Sequence, residues 1–203
     1  MLSNLLALVV PPLCVACGAD AGRAAPLCRA CRAELKPAGA GGAAWAGFAY
    51  EGPAGALVRA LKFGGRAGIA DAMAAQLAAL IPRDLVQGVV VPVPVHPAHR
   101  RRRGLDHAAA LARALARRLR LDYEECLVRR GDPQPQVGRG RQARIRGPAG
   151  AIVVRPGATV PERALLVDDV VTTGATLGAC ATTLRDAGAQ QITPIVYART
   201  TAR

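Results

Sequence analysis

The chain has 203 residues, of which 51% are apolar, and it carries 27 Lys and Arg against 14 Asp and Glu, a formal net charge of +13. This apolar fraction can build a packed core, so composition excludes wholesale disorder, and no apolar run reaches the roughly 18–20 residues of a membrane-spanning helix. The basic excess suits an anionic partner, either nucleic acid or a phosphorylated small molecule, although a solvated arginine-rich surface would give the same count.

The first thirteen residues are largely apolar but lack the basic start of a secretion signal. Their apolar stretch, residues 5–10, is short and is followed by Pro11 and Pro12, which end a helix. We therefore expect a short helix that packs on the core, and a cytoplasmic protein.

Four of the six cysteines form two Cys-x2-Cys pairs, Cys14 with Cys17 and Cys28 with Cys31. Two such turns can bring four thiolates to one tetrahedral site, the geometry that Zn²⁺ prefers. An iron–sulfur cluster is an alternative, and two disulfides are a second one that the missing export signal disfavours. Because four thiolates leave no open position on the metal, the pattern predicts a structural zinc module, which we place at residues 1–42.

A strand is predicted over residues 45–50, and a helix over residues 51–63 follows it. At the end of this helix, Lys62 and Arg66 flank a glycine pair that would suit a phosphate. A helix cap with surface charges explains the same residues.

A β-rich run over residues 85–95 predicts a buried strand that ends at its prolines. Behind it come four arginines, a glycine and a helix over about 105–119. Arg102, Arg103 and Gly104 are candidates to bind a diphosphate, because arginine pairs with phosphate oxygens bidentately. A nucleic-acid backbone, or solvent alone, would also suit this loop.

The stretch from residue 130 to 151 is rich in Gly, Pro and Gln and strongly basic. A loop of this length is usually functional. Its arginines could close over a bound diphosphate or clamp a nucleic-acid strand, and the candidates are Arg139, Arg141 and Arg144.

The most informative segment spans residues 164–176. Four apolar residues predict a buried parallel strand, Asp168 and Asp169 stand at its carboxyl end, and a Thr/Gly turn leads into a helix over 177–187. Backbone N–H groups and threonine hydroxyls at a helix N-terminus favour a phosphate. Carboxylates suit vicinal hydroxyls or Mg²⁺. The segment predicts a site for a phosphorylated sugar with a free diol; an acidic pair that only caps the helix is the alternative.

This segment resembles the 5-phosphoribosyl-1-diphosphate (PRPP) signature of type I phosphoribosyltransferases. The resemblance implies that Asp168 and Asp169 hold the ribose hydroxyls and that the 5′-phosphate is bound by Thr172, Thr173, Gly174, Ala175 and Thr176. Some purine-using members carry an Asp at the position of Thr172 as a general base, a role that a threonine cannot take near neutral pH. The acceptor must then arrive as an anion, or another residue must take its proton, or catalysis has been lost.

Nearly the whole chain resembles the ComF/GntX family of bacterial phosphoribosyltransferase-like proteins. The resemblance rests on PPLCVACG…LCRAC, YEGPAGALVRALKFGGR, VPVPVHPAHRRRRGLDHAAALARALA, PQVGRGRQARIRGPAGA and LLVDDVVTTGATLGACATTLRDAGA. It implies an α/β fold of the type I phosphoribosyltransferase kind over residues 43–203, with a parallel-sheet core and flanking helices, behind the zinc module. It also implies Mg²⁺ bound with PRPP. Asp106 and His107 stand where the family's R-G-F-N-Q motif has Asn and Gln.

Two functions follow as expectations. One is transfer of a 5-phosphoribosyl group from PRPP with release of diphosphate, which the intact acidic pair and phosphate loop favour. The other, which the net charge favours, is a non-catalytic nucleic-acid-binding adaptor in single-stranded DNA internalisation, with a competence helicase as partner. The family's link to natural competence is common to both.

Overall fold

The computed structural model of the chain describes residues 13–22, 25–63, 68–95, 106–130 and 151–200. The strands in chain order are Pro37–Gly39 (β1), Trp45–Ala49 (β2), Val89–Pro92 (β3), Leu127–Arg130 (β4), Ala151–Val154 (β5), Arg163–Val171 (β6) and Gln191–Arg199 (β7). Five of them form a sheet in the order β1-β2-β7-β6-β3, in which β1 is antiparallel to β2 and the other neighbours are parallel. Strands β4 and β5 form a separate antiparallel pair.

The α-helices within the described residues are Arg29–Ala33 (α1), Gly52–Phe63 (α2), Ile69–Leu80 (α3), His107–Leu119 (α4) and Ala175–Asp186 (α5). Helix α4 begins where it does because the Asp106 side chain accepts a hydrogen bond from the backbone N–H of Ala109 at 3.0 Å. It ends at Arg120, whose φ of 57° is left-handed. The helix and strand types predicted around residues 45–63, 105–119 and 164–187 are confirmed.

The sheet separates two apolar clusters. Helices α2, α3 and α4 pack on one face and share a cluster with Leu165 and Val167 of β6. Helix α5 and the β4–β5 pair pack on the other face and share a cluster with Leu166. We call these the α2–α4 face and the α5 face. Because side chains alternate along a strand, Asp168 follows Leu166 toward the α5 face and Asp169 follows Val167 toward the α2–α4 face.

The four-cysteine segment packs onto the α2–α4 face instead of standing apart. Cys14, Leu27 and Cys31 are buried and belong to the same cluster as the helices.

The fold-class prediction is confirmed: a mostly parallel sheet with flanking helices is preceded by a small four-cysteine module. The boundary between residues 42 and 43 stays a prediction. Across the described ranges, the structure contains no helix long and apolar enough to cross a membrane.

Candidate functional site

The carboxyl end of β6, the loop after it and the start of α5 enclose a cavity of about 60 Å³, lined by Asp168 and residues 170–177. Gly174 is the residue before α5 and has a φ of 79°, which side chains rarely permit. A Cβ built on Gly174 would lie 2.3 Å from the Cβ of Ala43, so the close approach also requires glycine. The loop at the start of α5 therefore packs tightly against the segment between β1 and β2.

The two acidic residues at this edge have different surroundings. Asp168 is half-buried and lines the loop cavity, and its Oδ1 accepts a hydrogen bond from the backbone N–H of Asp169 at 2.8 Å. Burial and the charge of Asp169 raise the pKa of Asp168 well above its usual range. Asp169 itself is only 2% exposed. Asp168 is thus the member of the pair that is open to a ligand in the loop cavity.

Asp169 contacts two basic side chains on the α2–α4 face. The Lys62 ammonium, at the end of α2, lies 3.1 Å from Oδ1 of Asp169, and Nε2 of His107 lies 3.4 Å from Oδ2. Asp106 and His107, which stand where the family motif has Asn and Gln, therefore both have structural roles. Asp106 caps α4, and His107 contacts the buried carboxylate of Asp169. Whether Lys62 also binds a phosphate stays a prediction.

Sequence reasoning missed His107 as a partner of Asp169. The only local signal was the change from the family's Gln to an ionisable residue at the start of a helix. The remaining anion candidates lie outside the described residues and stay predictions; they are Arg66, Arg102, Arg103, Gly104, Arg139, Arg141 and Arg144. The assignment of residues 168–176 to PRPP is likewise a prediction.

The four cysteines come together as the spacing predicted. Their Sγ atoms all lie within 4.8 Å of one another, and those of Cys17 and Cys28 are 3.7 Å apart. Tetrahedral zinc with bonds of about 2.3 Å requires sulfurs about 3.8 Å apart, so the donor set fits this metal. The Cys28 sulfur also accepts a hydrogen bond from the backbone N–H of Cys31 at 3.5 Å, where α1 begins. Residue 28 is therefore both a metal-site sulfur and a helix cap.

The thiols of this cluster differ in acidity. Burial alone would raise the pKa of Cys14, but hydrogen bonds from the backbone of Cys28, Cys17 and Ala16 lower it to about 6. The pKa of Cys31 is raised, chiefly by its hydrogen bond with Cys17 and by burial. A bound zinc ion would replace the protons of these hydrogen-bonded thiols, since zinc binds thiolates.

Comparison with known proteins bears on both parts of the chain. Residues 5–42 match the family described as Double zinc ribbon domain. Competence protein ComFC of Streptococcus pneumoniae (strain ATCC BAA-255 / R6) is 28% identical over 102 residues, which are 50% of this chain. The alignment covers 44% of that relative's length. The four cysteines thus belong to a zinc-binding ribbon.

Among solved structures, glutamine PRPP amidotransferase from B. subtilis, complexed with ADP and GMP, aligns with 68% of this chain and 30% of its own, at 19% identity and a TM-score of 0.48. Purine phosphoribosyltransferase from Pyrococcus horikoshii Ot3 aligns with 71% of this chain and 83% of its own, at 17% identity and a TM-score of 0.41.

Proposed function

We propose that this ComF-like protein binds PRPP at the carboxyl end of β6 and transfers its 5-phosphoribosyl group to an acceptor, releasing diphosphate. The observation that carries the proposal is the cavity shared by Asp168 and the loop of residues 172–176. It combines a carboxylate with threonine hydroxyls and the N-terminus of α5, the groups that a sugar phosphate requires. The curated relative's name adds a link to competence, which we carry over as part of the proposal.

Each part of the cavity has one task in this proposal. The loop of residues 172–176 binds the 5′-phosphate, whose charge the α5 dipole favours. Asp168 accepts hydrogen bonds from the ribose hydroxyls or donates an oxygen to Mg²⁺, which fits because its carboxylate is open to the cavity. Mg²⁺ bound with PRPP would neutralise part of the diphosphate charge. Asp169 already faces the ammonium of Lys62 and fixes the end of the strand.

The reaction itself needs an acceptor with a lone pair. That lone pair forms a bond to C1 of the ribose while the bond from C1 to the diphosphate oxygen breaks, and the electron pair leaves with the diphosphate. Thr172 cannot take a proton from the acceptor near neutral pH. An acceptor that arrives as an anion removes the need for such a base.

Calorimetric titration of PRPP with Mg²⁺ tests the proposal. The zinc-loaded wild type should bind, and Asp168→Asn should bind at least about tenfold more weakly, a loss of about 1.4 kcal/mol. Asp186→Asn is the matched control, because Asp186 is an exposed aspartate at the far end of α5. Unchanged binding by Asp168→Asn, or none by the wild type, would contradict the proposal.

A second candidate function is a nucleic-acid-binding adaptor, favoured by one observation besides the net charge. Arg32 of the ribbon and Arg118 of α4 line the same groove, which has a volume of about 380 Å³. Arg29 of α1 and Arg120 after α4 are also exposed, whereas Arg117 of α4 pairs with Asp71, which lines the same groove. Arginines from two elements along one groove suit a phosphate backbone.

A salt series tests this second candidate. If single-stranded DNA makes six to ten phosphate contacts, its affinity should fall by roughly 10³–10⁵-fold between 50 and 200 mM salt. Arg118→Glu should weaken binding, whereas Arg185→Glu, on the exposed end of α5, should not. A flat salt response would argue against a nucleic-acid partner.

A further inference from the structure

The turn between β1 and β2 contacts the loop of residues 172–176. The Cβ of Ala43 fills the space in front of Gly174, the residue before α5. Ala44 is buried in the same cluster as Val171, which lines the loop cavity. We call residues 40–44 the β1–β2 turn. Because this turn packs directly against the loop, its position helps to set where the N–H groups of the loop lie.

The β1–β2 turn has few side chains that could fix its conformation. Residues 39, 41 and 42 are glycines with positive φ, and the alanines at 40 and 43 are exposed. Glycine restricts the backbone least, and alanine has no polar group that could pair with the carbonyl groups of a turn. The conformation of the turn therefore depends on contacts with other parts of the fold.

Arg199, the last residue of β7, makes these contacts. Its Nη2 donates hydrogen bonds to the carbonyl oxygens of Gly39 at 2.9 Å and Ala38 at 3.4 Å, and its Nη1 donates to the carbonyl oxygen of Gly41. A Cβ built on Gly41 would lie 2.6 Å from Nη1 of Arg199, so the guanidinium requires a glycine at this position. The several N–H groups of one planar guanidinium thus bind three carbonyl groups at the end of β1 and in the turn.

The main chain of Arg199 is itself fixed at the end of the sheet. Strand β7 lies between β2 and β6, and Arg199 pairs in register with Ala49 on one side and Val171 on the other. Its carbonyl oxygen accepts a hydrogen bond from the N–H of Tyr50 at 2.7 Å. The guanidinium therefore extends from a well-paired part of the sheet to the turn.

We propose that Arg199 is a positioning residue for the PRPP site: it holds the β1–β2 turn against Gly174 and so fixes the loop that binds the 5′-phosphate. The proposal rests on the proposed function, since it assigns a residue to the same site. Arg199 acts through the turn and not on the ligand, because its Nη atoms are bound to carbonyl oxygens. A loop that is fixed before the ligand arrives loses less conformational freedom on binding, which makes binding tighter.

Hydrogen exchange of the full-length, zinc-loaded chain without ligand tests the contact. In Arg199→Gln, the peptide of residues 172–178 should exchange at least about tenfold faster than in the wild type. This peptide includes the N–H of Gly178, which donates a hydrogen bond at 2.8 Å within the first turn of α5. Exchange in α3 should stay unchanged. Arg163→Gln is the matched control, because Arg163 is an exposed arginine at the opposite end of β6.

Titration of PRPP with Mg²⁺ into the same variants tests the effect on the ligand. Arg199→Gln should bind PRPP at least about tenfold more weakly, whereas Arg163→Gln should bind it as the wild type does. Ala43→Gly leaves the hydrogen bonds of Arg199 in place but removes the contact with Gly174, and it should also weaken binding. Because both changes act through one contact, the double variant should bind about as weakly as Arg199→Gln alone.

The outcomes separate this inference from the proposed function. If PRPP binds and both single variants keep its affinity, or if their losses add in the double variant, the positioning role is wrong and the proposed function stands. Faster exchange throughout α3 in Arg199→Gln would show a general loss of stability and would also overturn the role. If a folded, zinc-loaded wild type binds no PRPP, the proposed function fails, and exchange alone decides whether Arg199 fixes the loop. Should Arg199→Gln not fold, unchanged loop exchange in Ala43→Gly overturns the assignment.

Discussion

The ammonium of Lys62 lies 3.1 Å from Oδ1 of Asp169, which ties the last turn of α2 to the end of β6. With His107 at the other carboxylate oxygen, Asp169 has its counter-charge inside the protein. Asp168, the preceding residue of the strand, is half-buried at the loop cavity. The two acids that look alike in the sequence thus have different surroundings: Asp169 pairs with buried basic groups, and Asp168 faces the loop cavity.

Replacement of Lys62 should therefore destabilise the fold. Lys62→Met leaves the carboxylate of Asp169 buried, at 2% exposure, without its ammonium partner. Removal of one partner from a buried pair costs about 3 kcal/mol or more. Urea unfolding of the variant should show a loss of this size.

Lys36→Met is the matched control for that experiment, because Lys36 is the other lysine of the chain and also pairs with a carboxylate, Glu51, at 2.8 Å. Both of these side chains are at least half exposed, so water screens the pair and no measurable loss is expected. Equal effects of the two substitutions would contradict a structural role for the Lys62 contact.

Neutralisation of Asp168 should stabilise the protein while it removes ligand binding. Burial and the neighbouring charge of Asp169 raise the pKa of Asp168 in the folded state. A carboxyl with a raised pKa binds its proton more tightly when folded, so stability falls as the pH rises from the unfolded pKa of about 3.9 through the raised value. Asp168→Asn avoids this loss.

The melting temperature of Asp168→Asn should exceed that of the wild type at neutral pH, and the difference should vanish at acid pH, where the carboxyl is protonated in both states. Thermal melts at several pH values measure this directly. A variant that melts below the wild type at neutral pH would show that the ionised carboxylate makes a stabilising contact.

Glu125 should show the opposite pH dependence. Burial opposes ionisation, but the hydrogen bond from Tyr123 and the charge of Arg113 together lower the pKa of Glu125. Its stabilisation is therefore present above the unfolded value of about 4.3 and is lost as the pH falls through the lower folded value. Glu125→Gln should cost about 1.5 kcal/mol at neutral pH, the contribution of a hydrogen bond to a charged group.

The free energy of unfolding of Glu125→Gln should also change less than that of the wild type as the pH falls. The control is Glu162→Gln, at an exposed position before β6. If both variants follow the wild-type pH profile, the contacts of Glu125 contribute nothing to stability.

The ribbon should carry about one zinc ion per chain, and its loss should affect the whole fold. Cys31→Ser removes one of the four sulfurs and should abolish zinc binding, measured by elemental analysis. Because Cys14, Leu27 and Cys31 pack in the same cluster as α2–α4, the melting temperature of the chain should fall with the metal.

Cys126→Ala is the control for the zinc experiment, since Cys126 is buried against the other face of the sheet. It should keep the metal. Protein purified without chelator that contains no zinc would contradict the assignment of the four cysteines.

Much of the main sheet could be predicted because its signals are local. The apolar run before Asp168, the Thr/Gly turn and the helix after it predicted β6, its loop and α5, and the cysteine spacing predicted the metal cluster. The strand predicted over residues 85–95 is shorter than expected, Val89–Pro92, because Arg83–Leu85 forms a 3-10 helix and Gly88 adopts a φ of 82°.

The remaining contacts could not be predicted because they join residues far apart in the sequence. No local pattern places Lys62 and His107 against Asp169, which depends on how α2 and α4 meet at one strand end. The contacts of Glu125 with Arg113 and Arg155 likewise depend on the packing of α4 and β5 against the β3 edge. The different surroundings of Asp168 and Asp169 likewise depend on which helices cover each face of β6.

Strand β1 has a protective role that follows from its position. It pairs with β2 through Pro37 opposite Phe48 and Gly39 opposite Ala46, and so covers the outer edge of the main sheet. A chain shortened to begin at residue 43 would expose the backbone N–H and C=O groups of β2 along that edge. Unpaired strand edges recruit strands from other molecules. The short edge strand β1, which begins with Pro37, is a poorer template for such pairing than β2 would be.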